Sequence, residues 1–175
     1  MRRAPLVFVL CGCAAGEAFG FDDPQFKVDL EGGYAAFADT RRYHGVVGGL
    51  ETAYQFDDAF GVRAGYALGE HRSKGLAFRV QQVSIGARYQ LDVFHYVPWA
   101  SASPTLYLPA GEGGPPDASL GYAVGFGFDA LLSDAWSLGF ATHLHQIFGV
   151  DRFPAYMTLG LRFGWRFTLG DPLAP

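Results

Sequence analysis

The chain has 175 residues, half of them hydrophobic, with 24 glycines, 16 phenylalanines and 9 tyrosines but only 17% charged residues. That length suits one domain, and beyond the N-terminus no apolar run approaches the roughly 20 residues of a membrane-crossing helix. A net charge of −4 without a basic patch argues against a nucleic-acid partner, and lysine, present only as Lys27 and Lys74, is too scarce for the usual soluble surface.

The N-terminus reads as an export signal. Arg2 and Arg3 make a positive start, Leu6 to Leu10 an apolar stretch, and Ala18-Phe19-Gly20 a small-residue cleavage site. Cleavage after Gly20 leaves 21–175 as a single barrel domain. Leu10-Cys11-Gly12-Cys13 also loosely resembles a lipobox, in which Cys13 would be acylated. On either reading the barrel holds no cysteine.

From Gln25 onward a two-residue hydrophobic period alternates with turn chemistry, the signal of an all-β meander. The spacing predicts eight strands over 25–38, 45–56, 60–70, 78–91, 97–108, 118–131, 136–148 and 155–167. Phe56-Asp57-Asp58-Ala59-Phe60 and Leu132-Ser133-Asp134-Ala135-Trp136 read as tight turns whose Asp and Ser cap their own backbone. A slightly longer turn covers 91–97. Looser loops are expected at 39–44, 71–77, 109–117 and 149–154. Short turns after even strands and longer loops after odd ones fit a membrane barrel with its turns on the periplasmic side.

The strand faces point the same way. Strand 1 sets Phe26, Val28, Leu30 and Tyr34 against Lys27, Asp29, Glu31 and Gly33. Strand 6 sets Leu120, Tyr122, Val124, Phe126 and Phe128 against Gly121, Gly125, Gly127 and Asp129. A soluble closed barrel would turn the apolar set inward, and a membrane barrel would turn it outward. Volume decides, because eight strands leave an interior just wide enough for side chains. The large apolar set would overfill that space, whereas glycine, alanine, serine and a few ions fit. Phe26, Tyr54, Phe56, Phe60, Tyr89, Trp136, Trp165 and Phe167 would then form a girdle at the periplasmic boundary.

In alternation, turn pattern and strand count the chain resembles the small eight-stranded outer-membrane proteins of the OmpA/OmpX type. The fold class expected is therefore all-β, a closed eight-stranded antiparallel up-and-down transmembrane β-barrel in the bacterial outer membrane. Tyr156 to Phe167 is similar to the closing-strand signal of that family, with Leu161, Phe163, Trp165 and Phe167 as the hydrophobic positions; Thr168 to Pro175 follow it here. The resemblance implies the outer-membrane assembly machinery as a partner. Membrane lipids and lipopolysaccharide are the other expected partners, and a monomer is the expected state.

The inward face carries charges of both signs: Asp29, Glu31, Glu51, Arg63, Arg88, Asp129, Arg162 and Arg166. Strands 8 and 1 must meet to close the barrel, so Arg162 and Arg166 can reach Asp29 and Glu31. Pairing Phe56 with Phe60 across the first turn puts Arg63 diagonal to Glu51. Buried charges persist only when paired, so an interior ion-pair network is expected. It would fill the lumen in a structural, envelope-maintaining protein. A narrow passage for water and small ions is the alternative, and loop-mediated adhesion or ligand binding a lesser one. His143 and His145 share the inward face and are weak metal candidates, with His44 or His71 as possible third ligands. No cofactor is expected. Nor is enzymatic activity, since Ser137 and His145 lie at opposite ends of strand 7 and the Gly-x-Gly repeats lie within strands.

Overall fold

The computed structural model describes residues 25–37, 43–73, 76–91, 95–111, 117–149 and 155–168. The expected export signal and Cys13 lie outside them. The described strands are β1 (Gln25–Phe37), β2 (His44–Gln55), β3 (Phe60–Ser73), β4 (Leu76–Gln90), β5 (Tyr96–Gly111), β6 (Ser119–Leu131), β7 (Trp136–Ile147) and β8 (Ala155–Thr168). Each pairs antiparallel with the next, and β8 returns to β1 from Gln25↔Thr168 to Phe37↔Tyr156, closing the barrel. Closure leaves no strand edge to be satisfied in lipid.

The two shortest turns use one design. Asp57 Oδ1 accepts from the amides of Ala59 at 2.8 Å and Phe60 at 2.5 Å, while the Phe56 amide donates to the Phe60 carbonyl at 3.2 Å. Ser133 Oγ does the same for Ala135 and Trp136, at 3.3 and 3.1 Å, and the Leu132 amide donates to the Trp136 carbonyl at 2.9 Å. A side-chain acceptor three residues before the new strand fixes each hairpin register.

The loop end differs from the expectation. β3 and β4 reach Ser73 and Leu76 across much of the expected 71–77 loop, and β5 runs on to Gly111. The extension follows from burial: inward His71 and Phe78 face each other in the ladder and pack against Phe37 and Tyr156. Gly111, with φ +108°, then ends the pairing of β5 with Phe78.

Orientation is unambiguous. Leu159, Phe163 and Phe126 are 39%, 43% and 48% exposed on the outer wall, whereas Arg162 and Asp129 are each 1% exposed inside. An apolar surface encircling the barrel far exceeds the few hundred Å² that a soluble monomer usually shows. Rings cluster at the turn end: Phe26 with Phe167 at 5.1 Å, Phe60 with Tyr89 at 5.0 Å, and Trp136 with Trp165 at 5.9 Å.

Candidate functional site: the barrel interior

Inward side chains fill the lumen in three tiers. Nearest the turns is a cluster of charges from β1, β2, β3, β4, β6 and β8. Lys27 Nζ lies 2.9 Å from Asp29 and 2.5 Å from Asp129. Arg63 Nη2 lies 2.5 Å from Glu51. Arg88 reaches Asp129 at 3.0 Å, Glu51 at 3.5 Å and Asp29 at 3.6 Å. Arg162 bonds Asp29 and lies 2.7 Å from Glu51. The Trp99 ring lies beneath Arg88 and Arg162, whose guanidinium carbons are 4.9 and 4.6 Å from its centroid. All of these side chains are buried. Such desolvated charges are tolerable only because every carboxylate touches more than one cation.

Backbone register makes the room. Glu51 is beside Gly65, Arg63 beside Gly86, Arg88 beside Gly61, Asp29 beside Gly164, and Asp129 and Arg162 both beside Gly139. A Cβ at Gly139 would collide with Asp129 and the Phe128 carbonyl. The glycine content of this chain is thus the space its charges occupy.

The middle tier holds a cavity of about 60 Å³, where Glu31, Glu51, Arg63, Gln82, His143 and His145 meet Val47, Ala67 and Ala123. That is room for about four waters. His143 Nε2 lies 3.2 Å from Glu31, and His145 Nδ1 lies 2.9 Å from the Tyr107 hydroxyl. Above the chamber, Phe37, Tyr43, His71, Phe78, Tyr107 and Tyr156 form an aromatic plug, with Phe37 stacked on Tyr156 at 4.5 Å and His71 on Phe78 at 5.0 Å.

Several sequence expectations are redistributed. Glu31 stands opposite Arg162 in the ladder but its carboxylate meets His143, and Arg166 stands half-buried at the turn-end rim, beside Lys27 in the ladder. Lys27 joins the charges although only its parity with Asp29 pointed there. Trp99 and the plug rings also have inward parity, but alternation alone gives no reason to expect aromatics inside. His143 and His145 sit with ring centroids 6.0 Å apart and address different partners. His44 cannot join them, because it occupies an outward position and bonds Tyr34, and His71 is held in the plug. Among the described residues no group of three acidic, histidine or cysteine side chains is arranged to hold a metal. Leu161, Phe163, Trp165 and Phe167 line the outer face of β8, and Trp165 and Phe167 belong to the turn-end girdle.

An apolar wall around a polar, side-chain-filled lumen defines the class: a closed eight-stranded barrel of the transmembrane type. Solved structures place the fold among small outer-membrane barrels. Neisserial surface protein A superposes with a TM-score of 0.67 at 17% identity, covering 82% of this chain and 96% of its own. OprG from Pseudomonas aeruginosa gives 0.62 at 17%, covering 85% and 98%. Ail, the attachment invasion locus protein of Yersinia pestis, gives 0.58 at 13%, covering 84% and 100%. No family model matches the chain, and no curated protein matches it in sequence.

Proposed function

We propose that the protein is an integral outer-membrane barrel with a structural, envelope-maintaining role and a closed lumen, its tight turns periplasmic. One observation carries the reading: charges from six strands pair with one another inside a barrel already too narrow for an open porin. The plug supplies a second seal. Lipids and lipopolysaccharide surround the wall, β8 presents its outer hydrophobics to the assembly machinery, and the barrel works as a monomer without cofactor or catalysis. Full-length protein refolded into planar bilayers should give no stable single-channel openings, and its SDS mobility should shift on boiling. Reproducible openings would overturn the closed reading. They would favour the narrow passage, the second reading that the chamber between the two seals supports.

A further inference from the structure

On the outer faces of the described strands, charge gathers in one place. Among the described outward positions of the eight strands, the acidic and basic side chains are Glu70, Arg72 and Arg79. The ladder sets them side by side, with Glu70 opposite Arg79 and Arg72 opposite His44. Arg79 Nε and Nη2 each lie 3.3 Å from Glu70, and Arg72 Nη2 lies 3.9 Å from it. The arginine side chains are 77% (Arg72) and 66% (Arg79) exposed, against 38% for Glu70. Val46 stands beside Glu70 in the ladder, and Leu68, Tyr66 and Val83 of the apolar wall follow toward the turns.

Depth gives the cluster its meaning. Glu70 and Arg72 follow Phe60 of the turn-end girdle by ten and twelve residues. At about 3.4 Å per residue and a tilt near 40°, they stand roughly 26 to 31 Å above it, where an apolar band of about 25 Å gives way to headgroups. The patch is net positive. Each guanidinium has five donors in a planar fork suited to phosphate, and Glu70 engages only some of them. An occupant must lay hydrocarbon on Leu68 and Val46 while presenting an anion to Arg72 and Arg79.

We infer that Glu70, Arg72, Arg79 and His44 form a docking site for the phosphate of an outer-leaflet lipid headgroup, whose acyl chains lie along β2–β4. The site rests on the outer-membrane reading. Glu70 acts as a positioning residue that holds both guanidiniums on the lipid side.

The test uses full-length protein in phosphatidylcholine nanodiscs doped with bisphosphorylated lipid A or its dephosphorylated form, with retained lipid counted by native mass spectrometry. Wild type should retain the phosphorylated form preferentially. Arg72→Gln/Arg79→Gln should lose about thirtyfold, near fivefold per basic residue at an anionic surface. Boiling-dependent SDS mobility reports folding separately, so a wild-type protein without that shift would defeat the barrel reading itself. If the double variant fails to fold, each single variant should lose about fivefold. Equal retention by wild type and folded variants would overturn the site. So would displacement of lipid A by inorganic phosphate, which would mark a free-anion site.

Discussion

Arg162 on β8 places Nη2 2.7 Å from Glu51 Oε1 on β2, although β1 separates the two strands. The bond therefore bypasses β1 on the lumen side instead of following the ladder. Arg162→Met removes a cation that three carboxylates approach. Breaking a buried pair from one side costs about 3–5 kcal/mol, so the urea midpoint in micelles should fall accordingly. Arg162→Lys should recover part of that loss, because one ammonium cannot reproduce the fork. An unchanged midpoint in the Met variant would mean the cluster holds nothing together.

Ile85 tests the outer wall. It is 66% exposed near the middle of β4, and in a soluble protein a substitution there would move stability by less than about 0.5 kcal/mol. Facing lipid, Ile85→Arg should cost about 2–4 kcal/mol. Equilibrium unfolding in liposomes measures the difference, and a neutral result would contradict lipid contact.

Two glycines separate inside from outside. A Cβ at Gly125 would lie 2.5 Å from His143 Nδ1 and 2.7 Å from Ser101 Oγ, whereas nothing lies within 4 Å of one at outward Gly32. Gly125→Val should overpack the lumen by about 1–3 kcal/mol. Gly32→Ala should leave the barrel as stable as before. Denaturant titration of both variants checks the contrast, which reverses if the interior has slack.

On the proposed closed reading the charged tier and the aromatic plug are barriers in series. Phe37→Ala/Tyr156→Ala removes the stacked pair at the top of the plug but leaves the charged tier intact. Bilayer recordings should therefore remain silent. Conductance in this variant alone would assign the barrier to the aromatics.

Much of this was legible beforehand, and the reasons are physical. Parity separates Phe126 from Asp129 because side chains alternate along a strand, and the Asp57 turn fixes the register that sets Arg63 diagonal to Glu51. Contacts across the lumen were harder. Glu31 stands opposite Arg162 on the adjoining strand, yet it bonds His143 one strand further on, a contact set by the barrel's stagger, and local alternation does not encode that shear. The plug escaped for another reason. Phe37, Phe78 and Tyr156 are inward by position but aromatic by type, so their chemistry pointed to lipid while their parity pointed inside.

The seam joining residues 25–37 to 156–168 has a consequence for biogenesis. A chain made from its N-terminus presents its first strand long before the partner exists, and so distant a pairing forms slowly. Until the last strand arrives, the sheet is an open ribbon with two sticky borders and a greasy back. β8 is the latch, and its pairing with β1 removes both borders at once.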